Sequence, residues 1–361
     1  MSESGEVKRK INDWGHEETT YEIASNPDGK IDLGTQVTFF LHRSGWNYAM
    51  QALKPIHNQA GTYFHGFLED VFSWHKAEHI IKKNIPFKHK WCGFFHNPHN
   101  PPQWFGRPEN FPENMLNTKE FRESLETCKG LWALSEYHAE FLREKTEKPV
   151  SVLIHPSEIP EEGQFDYQKF LDNKLKRIIN IGYWLRKVNS IYVLPLERED
   201  YLKTRLLPFE STSHAARSVE EFRWLELKNE REMAKLWGKY YKPDYSYVDE
   251  FYRLPNDQYD RLLSENIIFL DMYDSSANNA VIESIARGTP LLINPIPSAI
   301  EYLGKDYPFY FNSLEEAAEK AKDHYLVGKT HEYLKHCETR KKLTQEYFLD
   351  EFLNSEVYQK L

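Results

Sequence analysis

The stretch SSANNAVIESIARGTPLLINPIPSAIEYLG, Ser275 to Gly304, decides how the chain is read. Just before it, NIIFLD (Asn266 to Asp271) is an apolar run of the length of a buried strand. A polar loop follows, and Asn278 and Asn279 stand where a helix N-cap belongs. Ala280 to Arg287 then reads as an apolar helix, with Gly288 as its left-handed terminator and Pro290 opening a further strand, PLLIN. Strand, loop, capped helix and strand make the unit of a parallel α/β sheet. Glu283 fits this pattern badly, because it is acidic and lies one turn inside the apolar helix. A helix N-terminus offers backbone N–H groups and the positive end of a dipole to an anion. From one turn inside, a carboxylate reaches two neighbouring hydroxyls such as those of a ribose. A phosphate at the helix start with a diol nearby describes a nucleoside diphosphate. The plainer alternative is an ion pair between Glu283 and Arg287, an i,i+4 pair in the favourable order. Spacing leaves both readings open.

Working outward, the same alternation repeats on both sides. Residues 1–33 are polar and read as a loose tail or edge strands. QVTFFLH (Gln36 to His42) has the look of a buried parallel strand, followed by a helical stretch through Leu53 with Gly45 at the turn. WCGFFH (Trp91 to His96), GLWALS (Gly130 to Ser135) and VSVLIHP (Val150 to Pro156) continue a first half, residues 34–160. The acidic segment around residues 157–174 reads as a linker. Strands restart at RIINIG (Arg177 to Gly182) and continue through TRLLPF, YSYVDEFYRL, NIIFLD, PLLIN and YPFYF. A charged helical stretch is expected at about residues 218–239. Ser313 and Glu316 form a capping box for a later helix. The expected organisation is therefore α/β with two Rossmann-like domains, 34–160 and 161–345, facing a cleft lined by the loops after the strands. The tail from residue 346 is helical in pattern.

Composition narrows the function. The chain has 361 residues, 40% apolar and 28% charged, enough for two domains with cores of their own. A net charge of −9 argues against a nucleic-acid partner, since counterion release needs a basic excess. No apolar run approaches the ~20 residues of a membrane span, and the first residues lack the apolar centre of a signal peptide. Cys92, Cys128 and Cys337 are too scattered for a disulfide framework, so a cytoplasmic setting is expected.

NNAVIESIARGTPLLIN resembles the donor-binding motif of GT-B glycosyltransferases, especially those similar to family 4, in which a Glu, an apolar helix and Gly-Thr-Pro precede an apolar strand. RIINIGYWLRKVNS resembles the strand, glycine and basic loop that hold the donor diphosphate in that family, and FFLHRSGW has the place of its first strand and glycine loop. YFLDEFLNSEVYQKL resembles the terminal helix that crosses back to the first domain, here residues 346–361. The resemblance implies a UDP- or GDP-sugar donor, a carbohydrate or other hydroxyl acceptor, and no metal or further cofactor. It places donor contacts at Gly45, Gly182, Arg186, Lys187, Ser275, Asn278, Asn279, Ala280 and Glu283, with Arg186 and Lys187 stabilising leaving-group charge. Two departures stand out. The family usually has a second Glu eight residues before the helix Glu, where this chain has Ser275 beside Asp274; and Tyr183 stands where an Arg often follows the strand glycine.

In the first half, His96 follows a strand, and the resemblance implies that it contacts the donor sugar. A zinc site of Cys92, His96 and His99 has no dedicated ligand spacing. An inverting transferase needs a general base, for which Asp70 or Glu69 is the candidate, whereas a retaining one does without. Trp46, Tyr63, Phe67, Trp74 and Trp104 are candidates for stacking on an acceptor sugar, though most of such residues are core. The expected activity is glycosyl transfer, with retention, from a nucleotide sugar to a hydroxyl. A binding protein without turnover, which Ser275 would favour, and a nucleotide-sugar epimerase are the alternatives.

Overall fold

The computed structural model describes residues 6–11, 17–21, 23–34, 36–39, 44–105, 110–207, 224, 226–232, 234–235, 245–252 and 254–361. Contacts divide the chain into two units. The first comprises Met1–Asn100, Arg107–Glu158 and Lys342–Leu361, and the second Pro101–Gly106 and Ile159–Lys341.

The first unit holds a three-stranded antiparallel sheet of β1 (Glu6–Ile11), β2 (Glu17–Tyr21) and β4 (Gln36–Phe39). It also holds a five-stranded parallel sheet ordered β3 (Ile31–Asp32), β5 (Thr62–His65), β6 (Trp91–Phe95), β7 (Cys128–Ala133), β8 (Val150–Val152). This corrects the expectation for Gln36–Phe39. The run is a strand, but it pairs antiparallel with β2 and takes no place in the parallel sheet; its continuation, residues 40–42, lies outside the described residues. A short apolar run specifies a strand without specifying its partner. β6 is buried along its whole length, as expected of a strand covered on both faces. The final helices, Gln345–Asn354 and Glu356–Gln359, pack on this sheet. Phe352 stacks on the fully buried Trp132 at 4.6 Å, and Trp132 Nε1 donates to Ser355 Oγ at 3.2 Å. Gly130 permits this approach: a Cβ there would meet the Val357 side chain at 2.5 Å.

The second unit is a doubly wound sheet. All its paired strands are parallel, in the order β11 (Val248–Tyr252), β10 (Leu202–Leu207), β9 (Arg177–Ile181), β12 (Ile267–Leu270), β13 (Leu291–Ile293). The chain starts in the middle at β9, runs outward to β11, then returns to the other side at β12. The order reverses between β9 and β12, and the loops beyond their carboxyl ends flank a topological switch point, the usual ligand position in such sheets. Among the described residues the first unit's parallel sheet has no such reversal. YPFYF is not a strand; only Tyr310 bridges to Ile293. Of the helical stretch expected at residues 218–239, residues 224, 226–232 and 234–235 are helical and the others lie outside the described residues.

Candidate functional site

The loops after β9 and β12 are tied together by backbone hydrogen bonds. Lys187 N–H donates to the Asp271 carbonyl (2.7 Å) and Tyr273 N–H to that of Leu185 (2.9 Å). Asn294, just past β13, secures the second loop through Met272, accepting from its N–H at 2.7 Å and donating to its carbonyl at 2.9 Å. Gly182 supplies a positive φ of 75° at the end of β9, and Leu185 is held at φ 55° despite its side chain. This turn brings the Arg186 guanidinium back over Gly182, 3.2 Å from where a Cβ would be.

Arg186 is buried, and it pairs with no carboxylate among the described residues. One terminal nitrogen donates to the Trp184 carbonyl (2.7 Å) and the other to Asn278 Oδ1 (3.3 Å), while Nε has no partner. Burial pulls its pKa down to about 10, so it stays cationic at neutral pH. A buried cation held only by neutral dipoles leaves room for an anion. Lys187 differs. Its ammonium is 2.7 Å from Asp271 Oδ1, and Asp271 Oδ2 accepts from Ser190 Oγ at 2.7 Å. Its charge is already balanced, so Arg186 is the stronger attractor of an anion.

The helix predicted from the opening stretch spans Asn279–Arg287 and ends at Gly288, φ 67°. Asn278 caps it, its Oδ1 accepting from Ala280 N–H (3.0 Å) and Val281 N–H (3.4 Å). The same oxygen receives Arg186, so the cap joins the basic loop to the helix start. Ser275 is buried, its hydroxyl 2.7 Å from that of Ser298.

Glu283 sits in a buried polar cluster. Its Oε2 accepts from Tyr259 Oη at 2.7 Å and lies 3.5 Å from Arg287. Arg287 has a shorter bond to Asp260, 2.6 Å, and its guanidinium lies 5.5 Å from the centre of the Tyr259 ring. Burial, reinforced by Glu283, raises the Tyr259 pKa well above its ordinary value, so the phenol stays a donor. The ion pair weighed from spacing is therefore present, but as the longer of two that Arg287 makes. Sequence reasoning missed Tyr259, Asp260 and Asp271. Asp271 was findable, since it closes a strand at the carboxyl edge.

The remaining candidates, Trp104 apart, lie in the first unit. His96 stacks on Phe67 with ring centres 3.6 Å apart and meets the edge of Trp46 at 4.5 Å. Its Nε2 donates to the Gly66 carbonyl at 2.7 Å, and burial lowers its pKa to about 3, so the ring is neutral. Glu69 is fully buried; one oxygen accepts from both His96 N–H (2.6 Å) and Asn97 N–H (2.7 Å), while the other has no partner. Burial lifts its pKa to about 7, against the pull of those two N–H groups. Asp70 is a partly exposed residue paired with His75 at 2.6 Å and His79 at 3.9 Å. Gly45 precedes the helix Trp46–Leu53. His99 stacks on Phe141 and lies 3.4 Å from His138 Nδ1. Among the described residues no three His, Cys, Asp or Glu side chains converge as a metal site. Trp104 belongs to the second unit, edge-on to Tyr273 at 5.4 Å.

No protein-family model and no curated protein sequence matches this chain. Solved structures do. A trehalose-6-phosphate synthase, studied with bisubstrate glycomimetics for glycosyl transfer with retention, aligns with a TM-score of 0.54 at 12% identity, over 94% of this chain and 91% of that one. The Escherichia coli protein bound with UDP-2-fluoro glucose aligns with a TM-score of 0.51 at 10% identity, over 87% and 77%. TarM of Staphylococcus aureus, in complex with UDP, aligns with a TM-score of 0.50 at 11% identity, over 74% and 50%. At such identities the likeness establishes the fold, that of GT-B glycosyltransferases with their two Rossmann-like α/β units.

Proposed function

We propose that this protein is a glycosyltransferase that moves a sugar from a nucleoside-diphosphate donor to an acceptor hydroxyl, with retention at the anomeric carbon. The observation that carries the reading is Arg186, a buried cation without a carboxylate partner among the described residues, at the switch point of a doubly wound sheet and beside a helix N-terminus. Preorganised positive charge is what a departing nucleoside diphosphate requires. Arg186 supplies it directly. Lys187 supplies it if the diphosphate competes with Asp271 for the ammonium. Gly182 keeps the approach open, Glu283 binds the ribose, and no metal is needed for charge neutralisation. UDP is the first nucleotide to try, because structures of the same fold hold UDP or a UDP-sugar. Retention is supported by the neighbour studied for that stereochemistry and by a first unit whose two candidate bases are poorly available, Asp70 being paired with His75 and Glu69 fully buried against the backbone after β6.

Calorimetric titration with UDP and GDP tests the donor site. Arg186→Ala should weaken binding about tenfold to a hundredfold, the range for a charged hydrogen bond; equal affinity in parent and variant rejects the assignment. Nucleotide-sugar turnover then separates the remaining readings. Ser275, locked on Ser298, favours a binder without turnover, which would retain donor indefinitely; an epimerase would convert the sugar without releasing nucleotide.

A further inference from the structure

The helix Lys76–Ile81 buries none of its residues, although it ends in two isoleucines. Ile81 is 80% exposed and Ile80 43%, and Trp74, just before the helix, is 45% exposed. A surface helix ordinarily hides its apolar face in its own fold. Trp74 closes the π-helical turn Asp70–Trp74, one residue before this helix, with Phe67 against it at 5.7 Å, so three exposed apolar side chains stand within eight residues of sequence. Lys82 and Lys83 follow the isoleucines directly, both exposed.

Charge is concentrated on the same segment. From Trp74 to Lys90 there are five lysines and one glutamate, in a chain whose net charge is −9. Some of it is balanced locally: Lys76 pairs with Glu120 (2.7 Å), Lys88 with Glu123 (3.6 Å) and Lys82 with Glu78, and Asp70 faces His75 and His79. Lys83 and Lys90 are exposed and have no carboxylate partner among the described residues.

We infer that the Trp74–Lys83 segment docks on an anionic lipid bilayer. Tryptophan settles at headgroup depth, the isoleucines enter the acyl boundary, and lysines next to them reach anionic headgroups. The acidic remainder of the chain is repelled by that surface, which orients the molecule with this segment down. A second copy of the chain is a poorer occupant, because three side chains offer far less than the ~800 Å² per partner of a stable interface. Nucleic acid would use the lysines but leave the isoleucines in water. The binding is peripheral, since no helix among the described residues is long and apolar enough to cross a membrane.

Sedimentation of the full chain with vesicles tests this, using phosphatidylcholine alone and equal parts phosphatidylcholine and phosphatidylglycerol. The parent should sediment with the anionic vesicles, and less so as salt rises. Lys82→Gln with Lys83→Gln should weaken binding about tenfold to thirtyfold, and Ile80→Ser with Ile81→Ser should abolish it. These side chains are exposed, and an unchanged far-ultraviolet circular dichroism spectrum checks that each variant is folded. Absence of binding, equal binding to neutral vesicles, or full binding by the isoleucine variant overturns the inference. So does a parent dimer that the isoleucine variant dissolves, or binding to duplex DNA in place of vesicles. Vesicle binding is read without any sugar donor, so its failure and that of glycosyl transfer are seen separately.

Discussion

At the scale of the residue, the cluster around Glu283 separates a ligand role from a structural one. Arg287 makes its short bond to Asp260 and its longer one to Glu283. Glu283→Gln therefore leaves Arg287 paired and should keep the fold, while weakening UDP-sugar binding about tenfold or more, as loss of a charge-assisted bond does. Arg287→Ala removes the buried cation from between Asp260 and Glu283 and should cost about 3–5 kcal/mol of stability by chemical denaturation. Should Glu283→Gln bind donor like the parent, the ribose assignment is wrong. Glu69 makes a second case. Its pKa is about 7 in the fold, against about 4.5 when exposed, because burial disfavours the charge. The folded state holds the proton more tightly, so the group is harmless at low pH and its penalty grows as pH rises from about 4.5 to 7. The loss is about 3 kcal/mol above pH 7. Glu69→Gln should flatten that part of the stability profile, measured by denaturation at about pH 5 and pH 8; an unchanged profile would show that Glu69 ionises normally. The acidity of Glu283 and its i,i+4 pairing with Arg287 were visible in the sequence, but the Tyr259 hydroxyl beside it and the backbone partners of Glu69 were not.

At the scale of the element, the helix Asn279–Arg287 shows what local chemistry specifies. Its cap at Asn278 and its left-handed Gly288 lie where residue types alone put them. Gly288→Ala should destabilise by about 1–2 kcal/mol, since alanine resists positive φ and its Cβ would meet the His331 ring at 3.1 Å. A thermal transition unmoved by this change would show that the helix end relaxes without cost. The capping signal of Ser313 and Glu316 was legible in the same way, with one adjustment: Ser313 accepts from Glu316 N–H, but the Glu316 carboxylate returns to Asn312 N–H. Strands were less legible. Thr62–His65 alternates buried and half-buried residues, and its Tyr63 reads from the sequence as a candidate for sugar stacking. YPFYF has the composition of a strand and makes one bridge, because Tyr307 and Phe309 are consumed by packing: Tyr307 Oη is bonded to both N–H and carbonyl of Leu291.

At the scale of the whole molecule, the last twenty residues belong to the unit that begins the chain. Phe348, Phe352, Val357 and Tyr358 are buried there. At about 2 kcal/mol for each buried side chain, their removal costs about as much as a domain's whole stability. A chain ending at Lys341 should therefore lose cooperative unfolding of its first unit or precipitate; a truncated protein with the parent's full thermal transition would refute this. The sequence by itself determined the α/β alternation, the caps of the helices, the glycine turn at Gly182 and the placing of Arg186 beyond a strand, because each depends on residues within a turn or two of one another. Only the tertiary structure decided the rest. It set the strand order that creates the switch point, the antiparallel partner of Gln36–Phe39, and the choice of Arg186 over Lys187 as the cation without a carboxylate partner. Tyr259 meets Glu283 across 24 positions and Arg186 meets Asn278 across 92. Pairings so distant in sequence are selected by burial and packing of the whole unit, where a charge or a strand edge takes whichever partner the fold brings within reach.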